Sequence, residues 1–327
     1  MRRALAWTLG ALAVIGAAGY AAIKVSPWPA ALFYRAFMDR GGEEANRALA
    51  QYVPPGIAAL VDQRYDANDA DAILDVYYPA QESRALPAIV WIHGGGFFSG
   101  DKGQVANYSK ILAARGYTTV AIGYSLGPSS HYPKPVRQAN AALGYLMRNA
   151  QRLHIDPARV FLAGDSAGAH IAAQVANAIS VPAYATALGI APAISRKQLR
   201  GVILYCGLYD LALANSRGLY GHFMHTATWA YSGHRDGLKA EHLSEFSVAR
   251  FVTAEFPPAF ISAGNADPLL PHSRELTQAL ARQNVAVDSL FFADDHKPEL
   301  PHEYQFNLDA PEGREALERS VKFLSRY

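Results

Sequence analysis

A chain of 327 residues in which half of the side chains are hydrophobic can bury a large core and suits one elaborated domain. The formal net charge is +2, and removing the three cations Arg2, Arg3 and Lys24 of the N-terminal segment brings it to −1. This balance lacks the basic surface of a nucleic-acid-binding protein and excludes that class of partner. The single cysteine, Cys206, lies in an apolar run, cannot form an intramolecular disulfide and is assigned to core packing.

The N-terminal segment differs from the rest of the chain. Arg2-Arg3 precede Ala4–Ile23, a run of twenty residues without a charged side chain. As a helix this run would be about 30 Å long, the thickness of a bilayer's hydrocarbon core. We therefore predict that residues 1–26 form a membrane anchor and that residues 27–327 are exported, into the periplasm if the source is bacterial. Ala17-Ala18-Gly19 could also serve as a signal-peptidase site, so cleavage and secretion remain the alternative.

The sequence of residues 28–78 predicts two helices followed by two strands at the edge of a sheet. Ala30–Phe37 and Glu43–Tyr52 predict two short helices that end before Pro54-Pro55 and pack over the domain. Val61–Tyr65 and Ile73–Tyr78 are rich in β-branched or aromatic residues and predict an antiparallel pair of strands at a sheet edge.

From Pro87 onward, apolar strands alternate with helices. Strands are predicted over Ala88–Ile92, Thr118–Tyr124, Val160–Ala163, Gly201–Cys206, Ala259–Ala263 and Ser289–Phe292, and helices over Val105–Arg115, Pro135–Leu153 and Glu312–Leu324. This alternation predicts an α/β fold with a mostly parallel central sheet and right-handed crossovers. Residues 208–256 interrupt it. Together with residues 28–56, this insertion is expected to form a helical cap over the carboxyl edge of the sheet.

Gly164-Asp165-Ser166-Ala167-Gly168 connects a predicted strand to a predicted helix and has the G-x-S-x-G pattern of a nucleophile elbow. A serine that projects from so tight a turn has a strained backbone, and its neighbours two residues away must lack side chains. The helix that follows points its free N–H groups at any negative charge that develops there. Asp165 faces away from this point and is assigned a structural hydrogen-bonding role.

A serine nucleophile needs a base and a carboxylate that orients the base, and in this topology they follow in the order Ser, Asp or Glu, His. Asp267 lies in the loop after Ala259–Ala263, a better position than that of Asp210, which begins the insertion. The loop after the last strand contains His296 and His302. We select His302 because it precedes a predicted helix, whereas His296 lies among charged residues and is expected to be solvated.

Donors for an oxyanion are offered by His93-Gly94-Gly95-Gly96, which follows the strand Ala88–Ile92. Glycines let the backbone approach a substrate closely, so the N–H groups of Gly95, Gly96 and Ala167 are predicted to form an oxyanion hole. The spacing does not match a phosphate-binding loop. No metal site is predicted, because the histidines of the insertion (His222, His225, His234 and His242) lack a fixed carboxylate or cysteine framework.

These motifs, in this order, make the chain resemble a carboxylesterase of the hormone-sensitive-lipase-like family, which has the α/β-hydrolase fold. The resemblance runs from about Ile57 to the C-terminus and implies hydrolysis of carboxylic esters, often with short acyl chains, by Ser166, Asp267 and His302 without a cofactor. Tyr124-Ser125-Leu126-Gly127-Pro128 stands where the family usually has Tyr-Arg-Leu-Ala-Pro, so any role of that arginine is lost.

Two other functions remain open from the sequence. An amidase or peptidase would use the same three residues. A non-catalytic receptor with the same fold typically lacks one of them, whereas all three are present here. The natural ester and the oligomeric state are not specified by the sequence.

Overall fold

The computed structural model describes residues 16, 19, 21–214, 217–237, 239 and 244–327. Within these residues the strands are β1 (Ile57–Arg64), β2 (Ile73–Pro79), β3 (Leu86–Ile92), β4 (Thr118–Ile122), β5 (Ile155–Asp165), β6 (Leu199–Tyr205), β7 (Ala259–Ala263) and β8 (Val287–Phe291). They form one sheet in the order β1-β2-β4-β3-β5-β6-β7-β8. The fold is that of an α/β-hydrolase, as predicted.

The sheet is antiparallel only at one edge. β1 pairs with β2, and β2 with β4, in antiparallel register, whereas β4, β3, β5, β6, β7 and β8 are parallel neighbours. The predicted antiparallel pair is therefore confirmed, with β1 beginning four residues before the predicted start at Val61. Because the strands from β3 onward are parallel, the loops that follow them meet at one carboxyl edge.

Helices cover both faces of the sheet. They are α1 (Trp28–Leu49), α2 (Ala106–Ala113), α3 (Lys134–Arg148), α4 (Ser166–Ser180), α5 (Pro182–Leu188), α6 (Gly218–Ser232), α7 (Leu270–Arg282) and α8 (Pro311–Leu324). In β3, Val90 and Ile92 belong to one hydrophobic cluster, and Ile89 and Trp91 to a second on the opposite face. Successive side chains of a strand point to opposite faces, so the continuous apolar run of β3 fills both layers of the core.

The prediction of two N-terminal helices is wrong: α1 is continuous from Trp28 to Leu49, and only the turn Ala50–Tyr52 is a separate 3₁₀ helix. Gly41-Gly42 does not break the helix. A side chain at Gly42 would place its Cβ 2.5 Å from Oε1 of Gln104, so glycine permits close packing there. The low helix propensity of glycine is a weak preference and does not decide the conformation of this segment.

The insertion contains α6, which packs against α1. The rings of Tyr34 on α1 and Phe223 on α6 meet edge to face, with centroids 5.4 Å apart. Both helices line a cavity that also contains Ser166 and His302. The two segments predicted to cover the carboxyl edge of the sheet therefore lie over this cavity.

Of the predicted anchor, residues 1–26, the structure describes only positions 16, 19 and 21–26, and His242 lies outside the described residues as well. None of the helices that the structure does describe combines the length and the apolar character needed to cross a membrane. The anchor stays a prediction.

Candidate active site

The turn between β5 and α4 places the hydroxyl of Ser166 at the carboxyl edge of the sheet. β5 ends at Asp165 and α4 begins at Ser166, whose φ is +51°, in the left-handed region that side chains other than glycine rarely adopt. A Cβ at Gly164 would lie 2.6 Å from the carbonyl carbon of Gly168, and one at Gly168 would lie 2.0 Å from the oxygen of Ile92. Both positions therefore require glycine, as the sequence predicted.

The three predicted catalytic side chains meet beside this turn. Nε2 of His302 lies 3.0 Å from Oγ of Ser166, and Nδ1 of the same ring lies 3.0 Å from Oδ2 of Asp267. Asp267 is buried, and its Oδ1 accepts a hydrogen bond from the N–H of Leu269 at 2.7 Å, which fixes the carboxylate. The arrangement has the geometry expected of a nucleophile, a base and a carboxylate that orients the base.

The electrostatic surroundings favour the protonated form of His302. Burial alone would lower its pKa, but the Asp267 carboxylate, with smaller contributions from Cys206 and Glu303, raises the pKa of His302 well above its usual value. Glu303 is the neighbour in sequence, and its Oε1 lies 3.7 Å from Nε2. An imidazolium that forms when the ring takes the serine proton is therefore stabilised on both sides.

The glycine loop after β3 supplies free backbone donors. Gly95 and Gly96 have φ of +110° and +59°, and a Cβ at Gly95 would lie 2.0 Å from the carbonyl oxygen of Ser99. In the described part of the chain, the N–H groups of Gly95 and Gly96 donate to no other backbone group. Both residues line the cavity together with Ala167 and Ser166, where the predicted oxyanion hole would lie.

Asp165 fixes the first residue of this loop. Its Oδ2 accepts the N–H of Gly94 at 2.7 Å, and its Oδ1 accepts Nε1–H of Trp91 at 2.7 Å. Burial and the neighbouring Glu303 carboxylate raise the pKa of Asp165 well above its usual value, although the two N–H donors oppose this. The structural role assigned from the sequence thus has a definite form, which is to tie the nucleophile turn to the oxyanion loop.

Ser166 opens into a cavity of about 510 Å³. The walls above the glycine loop are mostly apolar and come from the two covering helices: Tyr34, Phe37, Met38, Ala45 and Leu49 from α1, and Tyr220, Phe223, Met224 and Ala227 from α6. A cavity of this size and lining, with a few polar groups at one end, is typical of a small-molecule site. The individual lining residues could not be found from sequence, because neither helix carries a motif.

Three residues that the sequence placed elsewhere also have defined surroundings. His296 is not simply solvated, because its Nε2 lies 3.1 Å from Oε1 of Glu312. Asp210 pairs with Arg250 at 2.9 Å. Cys206 is buried as predicted, but it follows β6 with φ of +53° and lies against the active site, since its Sγ accepts the N–H of Glu303 at 3.4 Å.

One group among the described residues has the spacing of a metal site. Ligand atoms of Cys206, Asp267 and His302 lie within 4.8 Å of one another. Burial, first of all, raises the pKa of Cys206 to about 12, so the thiol stays protonated at neutral pH, whereas metals bind the thiolate. The Asp267–His302 hydrogen bond also occupies two of the three ligands. These groups fit a triad better than a metal ion.

Comparison with protein families matches residues 74–280 to the BD-FAE family. The acetyl esterase of Salmonella schwarzengrund (strain CVM19633) is 29% identical over an alignment of 228 residues. The match covers 64% of this chain and 64% of that relative, so the chain spans less than two thirds of the relative's length. Among solved structures, esterase B of Lactobacillus rhamnosis (HN001) is 26% identical with a TM-score of 0.76, covering 91% of this chain and 96% of its own. A second structure of esterase B from Lactobacillus rhamnosis, inhibited by a C6-C4 SN3 compound, is 25% identical with a TM-score of 0.77. The match covers 91% of this chain and 97% of that one.

The family match contains the glycine loop, the elbow and Asp267, but it ends before His302, which the tertiary structure brings to the serine. It covers more than half of the chain. The chain therefore belongs to the BD-FAE family and is an α/β-hydrolase of the hormone-sensitive-lipase-like type.

Proposed function

We propose that this chain is a serine carboxylesterase that hydrolyses esters with short to medium acyl chains. The observation that carries the proposal is the ring of His302, which lies 3.0 Å from both the Ser166 hydroxyl and the Asp267 carboxylate beside an apolar cavity. The acetyl esterase of Salmonella and the esterase B of Lactobacillus, to which the chain is similar, support the same reaction class.

The proposed reaction has two acyl-transfer steps. His302 takes the proton of Ser166 as its oxygen attacks the ester carbonyl, and the N–H groups of Gly95, Gly96 and Ala167 stabilise the oxyanion that forms. His302 then gives the proton to the departing alcohol, which leaves an acyl-serine. Water, deprotonated by the same ring, attacks the acyl group and releases the carboxylic acid. Asp267 keeps the ring in the tautomer with a proton on Nδ1 throughout.

The cavity supports the choice of acyl length. Its volume of about 510 Å³ lies in the range of small-molecule sites and accommodates a short or medium chain with its alcohol. Phe223 limits the room above the oxyanion loop, because a Cβ at Gly96 would lie only 3.0 Å from the Cζ of that ring. The N–H donors and the apolar walls then hold opposite ends of the ester.

The test is Ser166→Ala assayed on p-nitrophenyl esters of increasing acyl length, with Ser83→Ala, an exposed turn position, as the matched control. We expect Ser166→Ala to abolish turnover and reaction with a fluorophosphonate while the unfolding midpoint is kept, and we expect Ser83→Ala to behave as wild type. Turnover retained by Ser166→Ala would contradict the proposal. A higher rate on the matched amide than on the ester would make the protein an amidase.

We further propose that residues 1–26 anchor the domain to a membrane with residues 27–327 outside the cytoplasm. The support is the uncharged run Ala4–Ile23 after Arg2-Arg3. Protease is added to cells whose outer layers are permeabilised while the cytoplasmic membrane stays closed. It should digest the domain and spare a cytosolic marker. Release of the domain into the culture medium would instead indicate that the segment is a cleaved signal peptide.

A further inference from the structure

An apolar surface is exposed near the start of the described chain, beside the mouth of the active-site cavity. This N-terminal apolar surface consists of Val25, Trp28, Leu32, Phe33 and Phe37, whose side chains are 41% to 78% exposed. Phe37 also lines the cavity that contains Ser166, so the surface is continuous with the mouth of the site. Large apolar side chains that cluster at the surface mark an interaction site, whereas scattered ones need no explanation.

The surface cannot bury itself by a rotation of α1, because polar contacts fix the opposite side of the helix. Nη2 of Arg35 donates to the carbonyl oxygen of Gly127 at 2.8 Å. Oδ1 of Asp39 accepts from Oγ of Ser99 at 2.6 Å and from the N–H of Gly100 at 2.9 Å. Exposure of the apolar side is therefore a stable property of the fold.

The exposed side of α1 changes character along its length. After Phe37 it carries charged residues: Arg40, Glu43, Glu44 and Arg47 are exposed. Arg40 and Glu44 pair at 3.0 Å, one helical turn apart. The apolar half is thus the half that lies toward the N-terminus, and the charged half lies farther along.

We propose that the N-terminal apolar surface lies on the lipid bilayer, with its side chains in the interfacial region. The uncharged run Ala4–Ile23, which we propose as the anchor, ends two residues before Val25. Only four residues separate Ile23 from the start of α1 at Trp28, and from there to Phe37 the helix rises only about 14 Å, so a chain anchored by that run keeps the surface close to the membrane. Trp28 suits this location, because its ring is apolar and its N–H is polar.

The consequence for catalysis, which rests on the proposed function, is that the mouth of the cavity faces the membrane. Esters that partition into lipid would reach Ser166 past Phe37 without first crossing bulk water. An interfacial helix of this kind buries its apolar side about 5–10 Å into the boundary between head groups and acyl chains.

The test uses the full chain in vesicles of phosphatidylethanolamine and phosphatidylglycerol, with a maleimide fluorophore on Phe33→Cys. Phe33 is 74% exposed and does not line the catalytic cavity, so the substitution leaves the fold and the site intact. The matched control is Ser83→Cys. Ser83 is exposed in the connection that leads into β3, at the edge of the sheet opposite to the carboxyl edge where Ser166 lies. Cys206 is buried with a raised pKa and does not compete for the label.

We expect the label at position 33 to be quenched by lipids that carry a nitroxide on the acyl chain and to lose quenching by iodide in the water. The label at position 83 should show the reverse. Iodide quenching at position 33 equal to that at position 83 would overturn the proposal, because the surface would lie in water. Shielding of position 33 from both quenchers would overturn it too, because protein, either the chain's own N-terminal segment or a second copy, would cover the surface. None of these quenching measurements requires the protein to hydrolyse an ester, so a failure of the proposed esterase activity would not affect them.

Discussion

Replacement of Asp165 by Asn tests whether the nucleophile turn holds the oxyanion loop. Each carboxyl oxygen of Asp165 accepts one N–H at 2.7 Å, from Trp91 and from Gly94. An asparagine has one accepting oxygen, and its amide nitrogen cannot accept. One of the two buried donors must therefore lose its partner, which costs about 1–3 kcal/mol.

We expect Asp165→Asn to lower the free energy of unfolding by about 1–3 kcal/mol in urea titrations. The N–H groups of Gly95 and Gly96 follow Gly94 directly, so a shift of Gly94 misplaces them. We expect kcat/KM to fall by roughly tenfold, less than the 10²–10³ lost when an oxyanion donor is removed altogether.

The sharper test is the cycle with Trp91→Phe, which removes the indole N–H. In the double variant the amide oxygen of position 165 is free to accept from Gly94, so kcat/KM should recover. The double variant should also be more stable than the sum of the single changes implies, by about 0.5–3 kcal/mol. Additive losses, or an Asp165→Asn variant as stable as wild type, would refute the assignment of these two hydrogen bonds.

The remaining predictions concern titration. Oε1 of Glu303 lies 3.7 Å from Nε2 of His302 and contributes to its raised pKa, so Glu303→Gln should move the acid limb of the kcat/KM profile to lower pH. Burial lowers the pKa of His272 to about 4, whereas in the unfolded chain the pKa of this residue is near 6.5. Between these two pH values the unfolded chain binds a proton at His272 and the folded chain does not. The stability contributed by neutral His272 is complete above pH 6.5 and is lost as the pH falls toward 4, by up to about 1.4 kcal/mol per pH unit. His272→Asn should remove this contribution and leave that of His170, whose pKa burial lowers to about 3.

Each titration experiment has a control. Glu82→Gln, in the turn before β3, removes a carboxylate of the same kind and should leave the kcat/KM profile where it is. An equal shift in both glutamate variants would show that overall charge, and not the contact with His302, determines the pH of the acid limb of the kcat/KM profile. For His272→Asn the measurement is urea unfolding at several pH values, and a slope equal to that of wild type would contradict the assignment.

Much of the fold follows from local pattern. The strands from β3 to β8 were predicted because each contains a short apolar run, and the alternation of such runs with helices over most of this region favours a covered parallel sheet. The elbow was predictable for a similar reason, since glycines at positions 164 and 168 leave room for backbone that a Cβ would strike. Both signals lie within a few neighbouring residues, so the sequence alone determined them.

Other features depend on residues far apart in the chain. Two glycines in a row predict a break in α1, yet the helix runs through them, with Gly42 close to the side chain of Gln104. Asp165 carries no local sign that it accepts from Trp91 and Gly94. Glu303 could have been suspected as the neighbour of His302, but its approach to Nε2 depends on a backbone φ of +59°.

The division has a physical basis. Hydrophobic pattern and the steric needs of a turn act over a few residues, so the sequence by itself determined the mostly parallel α/β architecture and the turn that carries Ser166, and its resemblance to a known family implied the α/β-hydrolase fold. Cavity shape and electrostatic surroundings sum contributions from segments that only folding brings together. The tertiary structure alone decided which side chains of α1 and α6 line the cavity, which carboxylates surround His302, and which side of α1 is left apolar and exposed.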